Sequence, residues 1–444
     1  MAKPVYAFEE ADSKKRMLLG GKGAGLSEMT RLKLPVPPGF IITTEVCNKY
    51  YDNNKKLPKD LMSAVMKNIT KMEKKTGKKW NSTKNPLLVS VRSGAAISMP
   101  GMMDTILNLG LNEKTVEGFA EQTKNPRFSW DSYRRFIQLF GKVVFGVNDE
   151  KFDHVLDSAK TKQGVSDDSK LNVESLKTIV SEYKKICEAH TKRKFPDSPK
   201  EQLELSIEAV FRSWMGERAI VYREKNNITK DIANGTAVNV VTMVFGNMGD
   251  DSATGVVFTR NGHNGKKEIE GEYLINAQGE DVVAGVRTGK NIELLKKDMP
   301  KSHKELSNAC TKLEKHFREP QDIEFTIEQG KFYLLQTRTA KMSAAALVKT
   351  SVDMVKEKLI DKNRALTRIP AQQLEALLHR TMDESKIKDH KQVAKGIAAS
   401  PGAASGIVVF DVKKTIELGE AGKKIILVRK ETKPEDVPAF FSAE

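Results

Sequence analysis

The sequence predicts a multidomain protein of α/β (α+β) class, and three observations carry that expectation. Its 444 residues amount to roughly three domains at ~150 residues each, too many for one compact core. Strand-like apolar runs alternate with helical spacing before Asn112 and again after Gly235. Between these stretches the periodicity is helical alone. Hydrophobic residues make up 39% of the chain and charged residues 30%, and no apolar run reaches the ~18 residues of a membrane span. A soluble protein without a membrane partner is expected.

The elements follow in order. A first α/β lobe is expected over 1–112: a glycine cluster at Gly20 opens a helix over Leu26–Leu32, and Pro35-Val-Pro-Pro-Gly39 leads into a strand over Phe40–Thr43. Met62, Val65, Met66, Ile69 and Met72 mark a helix face, and Leu87–Val91 reads as a buried strand that ends at Arg92. Over 113–234 a helical region is expected, because Trp130, Tyr133, Phe136, Ile137 and Phe140 recur at steps of three and four. A second lobe, 235–340, carries strand-like runs at Val238–Phe245, Gly255–Thr259, Tyr273–Asn276 and Ile323–Leu335. Helical spacing and a charged stretch make 341–395 a linker. A last segment, 396–444, has two short apolar runs and little chain to cover them, and it reads as unfinished.

Lys and Arg outnumber Asp and Glu by 74 to 58, a net charge of +16. Such a balance suits a polyanion or a phosphorylated ligand, but the cations are mixed with acids and flank no nucleic-acid motif, so a solvated surface is expected and no nucleic-acid partner. Cys47, Cys187 and Cys310 are far apart and form no CxxC pair, which argues against a disulfide framework or thiolate metal site and fits a reducing compartment. The charged N-terminus is no secretory signal. Cytoplasmic localisation is the expectation.

Four stretches are candidates for chemistry. Gly20-Gly-Lys-Gly-Ala-Gly25 before a helix offers backbone N–H groups and Lys22 to phosphate oxygens, although it lacks the Ser or Thr of a P-loop and also suits a plain helix start. In Asp322-Ile-Glu-Phe-Thr-Ile-Glu328 the acids share one strand face, so Asp322 and Glu324 stand side by side, as Mg²⁺ coordination requires and as an ordinary surface strand also allows. Gln336 and Arg338 join that face if the next strand follows a three-residue turn, Glu328-Gln329-Gly330, and this register is expected. Arg92 before Ser93-Gly-Ala-Ala suits bidentate phosphate contact, or an ion pair. Gly246–Gly255 reads as a glycine-rich hairpin that either folds over a ligand or is plain surface. The seven histidines are scattered, and none is assigned a role.

Taken together, Leu18-Leu-Gly-Gly-Lys-Gly-Ala-Gly25, Leu34-Pro-Val-Pro-Pro-Gly-Phe40, Ser90-Val-Arg-Ser-Gly94, Met99-Pro-Gly-Met-Met-Asp-Thr105, Asn276-Ala-Gln-Gly-Glu-Asp281 and Asp322-Ile-Glu-Phe325 closely resemble the N-terminal part of the pyruvate, phosphate dikinase family of phosphoenolpyruvate-utilising enzymes. The resemblance runs from about Pro4 to Glu444. It implies an ATP-grasp nucleotide-binding domain of two lobes (1–112 and 235–340) with a helical insertion (113–234), a helical linker (341–395) and the start of a small swivelling β/α phosphohistidine domain (396–444). Family members convert ATP, phosphate and pyruvate to AMP, diphosphate and phosphoenolpyruvate through a phosphohistidine, and the full-length proteins are homodimeric.

By this resemblance Lys22, Arg92 and Arg338 act on phosphates, Asp322 and Glu324 carry Mg²⁺, Gln336 lines the nucleotide site, Met243 and Val244 lie near the adenine, and Glu280 lies near the ribose or metal. ATP and phosphate are the expected ligands. Pyruvate and phosphoenolpyruvate belong to a C-terminal domain. The family's histidine run, Gly-Gly-Met-Thr-Ser-His, does not occur and no histidine follows His390, so no phosphohistidine is expected in this chain, nor full turnover by it alone. A stand-alone ATP-binding or regulatory module without phosphotransfer is the alternative.

Overall fold

The computed structural model describes residues 3–279, 281, 289–378 and 403–444. It is a mixed α/β structure with two five-stranded sheets and a two-stranded parallel pair, in agreement with the expected class. The chain divides into two compact units: Met1–Ser252 with Ile327–Gln329 and Tyr333–Gln336, and Ala253–Thr326 with Gly330–Phe332 and Thr337–Glu444.

In the first unit the strands β1 (Val5–Ala7), β2 (Gly39–Ile42), β3 (Val89–Gly94), β4 (Thr105–Leu109) and β5 (Ala237–Thr242) lie in the order β1-β2-β5-β3-β4. Each described pairing is antiparallel. The central β5 is buried at every position, as its Val-Asn-Val-Val core demands. Helix α1 (Arg16–Arg31) packs on β3 and β5. It is interrupted at Gly20, whose φ of 70° and ψ of 161° lie outside helical space. The helix thus restarts at Gly21, five residues before the expected Leu26. The glycine run is helical because it is pressed against the sheet: a Cβ on Gly23 would stand 2.8 Å from Asn239 Oδ1 and 3.0 Å from Ile41.

Helices α2 (Thr44–Asp52) and α3 (Leu61–Thr76) precede β3, and between β4 and β5 run α4 (Glu113–Thr123), α5 (Pro126–Phe145), α6 (Asp149–Gln163), α7 (Val173–Thr191), α8 (Pro199–Ser213) and α9 (Glu217–Lys225). Local chemistry delimits α5. The Asn125 side chain accepts from Phe128 N–H at 3.1 Å, Pro126 takes the first helical position, and Gly146 closes the helix at φ 71°. The aromatic spacing read from the sequence is its inner face, with Tyr133, Phe136, Ile137 and Phe140 all buried. Burial of four such side chains contributes on the order of 6–12 kcal/mol as an upper bound.

In the second sheet β6 (Ala253–Phe258), β7 (Glu270–Ile275), β8 (Lys290–Asn291), β9 (Gln321–Glu328) and β10 (Lys331–Thr339) lie in the order β10-β9-β6-β7-β8. Since β5 and β6 belong to different sheets, Gly246–Gly255 is a connection between sheets, and the expected hairpin is corrected. The turn joining β9 to β10 is a second correction. It has two residues, Gln329 at φ 47° and Gly330 at φ 71°, the left-handed pair that matches strand twist, and Glu328 belongs to the strand. This turn sets Glu328 opposite Lys331.

At the far end of the same ladder Ala340 N–H donates to the Pro320 carbonyl at 2.9 Å, which sets Asp322 opposite Arg338. The two registers differ by one residue. Phe332 and Leu334 are buried, and then Thr337, so the additional residue lies between Leu334 and Thr337 on β10. A β-bulge, and not the turn, brings Gln336 and Arg338 onto the acidic face.

Three helices follow, Ala344–Lys356, Lys362–Thr367 and Ala371–Leu378. Beyond them β11 (Ile407–Val409) and β12 (Ile425–Leu427) pair in parallel, with the helix Val412–Glu420 between them in sequence. Among the described residues no helix is long and apolar enough to cross a membrane, and Cys47, Cys187 and Cys310 are buried and unpaired.

Candidate functional site

In the first unit the glycines press the start of α1, which carries Lys22, against the end of β3, which carries Arg92. Gly20 passes so close to β3 that a Cβ there would stand 1.8 Å from the Gly94 carbonyl oxygen, and Gly21 N–H donates to the Ala95 carbonyl at 2.7 Å. A Cβ on Gly94 would in turn lie 3.4 Å from Lys22 Cβ. Lys22, in the first turn of the restarted helix, therefore leaves the backbone beside the strand end that carries Arg92. That strand continues two residues past Arg92 to Gly94, further than the sequence indicated. Arg92 Nε donates to Ser90 Oγ at 3.0 Å, which keeps the half-buried guanidinium along the strand face. The first-turn amides of a helix and two cations suit an anion with several oxygens.

After β5, Met243 N–H donates to the Leu88 carbonyl at 2.9 Å and Phe245 N–H to Glu328 Oε2 at 2.7 Å. These two bonds fix the segment that holds Met243, which is buried, and Val244, which is half-buried. Beyond β3, Arg218 clasps the Met99–Asp104 stretch, donating to the Gly101 carbonyl and to Asp104 Oδ1, each at 3.2 Å. Burial pushes the Asp104 carboxyl up, and Arg218 offsets this only in part. The sequence did not pair the two.

In the second unit Asp322 is 5% exposed. Its Oδ2 accepts from Arg338 Nε at 2.6 Å, and its Oδ1 is buried without a hydrogen-bond partner. Burial raises the Asp322 carboxyl above the usual carboxylate range; the nearby guanidinium lowers it without cancelling the shift. Glu324 follows one strand step on and is half-buried. Among the described residues no cluster of three or more His, Cys, Asp or Glu side chains gathers for a metal. Two carboxylates, one with an unused buried oxygen, fit a hard cation that completes its shell with water and phosphate oxygens. Glu280 lies outside the described residues.

The helix start in the first unit has the chemistry to meet an anion, and the carboxylate pair in the second has the chemistry to meet a hard cation. The family is more particular. The model of the pyruvate phosphate dikinase AMP/ATP-binding domain matches residues 16–57, 53–303 and 299–359, and the chain belongs to that family. It is 53% identical over 442 residues to pyruvate, phosphate dikinase of Entamoeba histolytica, covering 99% of this chain and 50% of that protein. Identity is 51% over 445 residues to the Clostridium symbiosum enzyme (100% and 51% covered) and 46% over 446 residues to the chloroplastic pyruvate, phosphate dikinase 1 of Arabidopsis thaliana (100% and 46%). The chain spans about half the length of the curated relatives it matches.

Proposed function

We propose that these residues form the Mg-ATP-binding, phosphoryl-transfer portion of a pyruvate, phosphate dikinase, in which ATP, phosphate and pyruvate become AMP, diphosphate and phosphoenolpyruvate. The observation that carries this reading is Asp322, a carboxylate with one oxygen on Arg338 and the other buried and unpartnered. Asp322 and Glu324 would hold Mg²⁺, which neutralises charge on transferring phosphoryl oxygens. Lys22 and Arg92 hold phosphate oxygens by charge and by forked donors. Arg338 orients Asp322 and adds positive charge where the phosphates lie. Gln336 contributes polar contacts to the nucleotide, Met243 and Val244 line the base, and Glu280 serves the ribose or metal. The organisation proposed is an ATP-grasp domain over 1–340 with a helical insertion at 113–234, a linker, and a small β/α domain from 396. The phosphohistidine and pyruvate steps are assigned to none of these 444 residues.

Calorimetric titration with Mg-ATP tests the reading. Lys22→Ala and Glu324→Ala are each expected to weaken binding at least tenfold, about 1.4 kcal/mol or more, and the Glu324 variant is expected to lose the dependence on Mg²⁺. Unchanged affinity in both would overturn it.

A further inference from the structure

We infer that Asn239 is a positioning residue that sets the spacing of Lys22 and Arg92, an inference that rests on the phosphate-holding reading of those two cations. Asn239 lies at the centre of β5, fully buried, between Val238 and Val240 where an apolar side chain would ordinarily stand. It pairs with Ile41 of β2 on one side and with Arg92 of β3 on the other. Residues directly opposite in a ladder point to the same face, so the Asn239 amide projects where Arg92 projects, onto the face that α1 covers.

Three distances show what the amide does there. Its Nδ2 donates to the Arg92 carbonyl at 3.4 Å. A Cβ on Gly94 would stand 2.7 Å from Nδ2, and a Cβ on Gly23 would stand 2.8 Å from Oδ1. The amide thus fills the space that the two glycines leave, one on each cation-bearing segment. Lys22 Cβ and Asn239 Nδ2 both lie within 3.4 Å of the same point, the Cβ that Gly94 lacks. Asn239 Oδ1 is buried with no hydrogen-bond partner.

A buried amide with an unpaired oxygen is less stable than an apolar side chain of its size. Packing alone therefore favours leucine at this position. Asparagine offers a rigid planar wedge under the helix start at Gly23 and a donor to the backbone of Arg92 on β3. Its loss lets α1 and the end of β3 shift, and cations held ~1 Å away from their phosphates lose most of their effect. The penalty falls on ligands whose outer phosphates reach those cations.

The test is titration of the full chain with Mg-ATP and with AMP for Asn239→Leu, Asn239→Asp and Lys22→Ala, with thermal melting of each variant. The expected result is a loss of Mg-ATP affinity of tenfold or more in a folded Asn239→Leu protein, while AMP affinity changes less than threefold. Asn239→Asp keeps the shape and removes the donor, and the same split is expected of it if the leucine variant fails to fold. Wild-type ATP affinity in a folded Asn239 variant, with binding lost in Lys22→Ala, overturns the positioning role and leaves the phosphate reading standing. Equal losses for ATP and AMP also overturn it, since that is the mark of a general structural defect. Unchanged binding in Lys22→Ala overturns the phosphate reading and this inference with it.

Discussion

At Gly20 two requirements coincide. Its φ of 70° is left-handed, and a Cβ would stand 1.8 Å from the Gly94 carbonyl oxygen. No rotation of a side chain relieves a clash with backbone. Gly20→Ala is therefore expected to lower stability by about 2–4 kcal/mol, from backbone strain and displaced packing, and to weaken Mg-ATP binding in whatever protein remains folded. Urea denaturation and calorimetry check the two effects. Residue type and spacing made Lys22, Arg92, Asp322 and Glu324 candidates beside plainer readings, and the family resemblance gave them their expected roles. The sequence could not mark Arg218 as the partner of Asp104, because that contact joins residues far apart in the chain; Ser90, two residues before Arg92 on the same strand face, was within reach of the alternation.

Among the elements, one arginine just past β6 pairs with two acidic residues, one on a helix and one just past another. Arg260 is fully buried. It donates to Glu314 on the helix Pro300–Phe317 at 2.8 Å and to Glu357, just past the helix Ala344–Lys356, at 2.7 Å. Burial alone would lower its pKa, but the hydrogen bonds it donates to both carboxylates outweigh this and raise it. Removing the guanidinium takes from the buried Glu314 side chain its ion-pair partner. Arg260→Met is expected to cost about 3–5 kcal/mol, and addition of Glu314→Gln is expected to restore part of it; urea midpoints of the two variants measure both. The β9–β10 hairpin shows the limit of reading elements from a pattern. Alternation along Asp322–Glu328 was legible, yet a three-residue turn was expected because it alone put Gln336 and Arg338 on the acidic face. The chain uses a two-residue turn and a bulge, and a bulge leaves no mark in hydrophobic periodicity when Leu335 and Gln336 are both half-buried.

For the whole molecule, acid should destabilise the fold beyond what exposed carboxylates explain. Asp131 is buried on α5; burial pulls its pKa up, but Arg134, Arg135 and Arg127 outweigh this and hold it down at about 2. Folding thus lowers the pKa below the ordinary aspartate value of about 3.9. The stability gained is fully present above about pH 4 and is lost as pH falls towards 2, on the order of 2 kcal/mol for this group. Urea midpoints at pH 7, 4 and 2.5 are expected to change little in the first interval and to fall sharply in the second, with the second fall reduced in Asp131→Asn. The net charge of +16 grows as carboxylates protonate and adds self-repulsion in the same direction. The sequence by itself determined the mixed α/β class, the helical stretch between the lobes, the glycine run and the carboxylate strand, because periodicity and residue type act over neighbouring residues. Only the tertiary structure decided that the glycine run is helical, that Gly246–Gly255 links two sheets, and that Asn239 lies beneath Lys22, because each depends on segments far apart in the chain being packed to within a few ångströms.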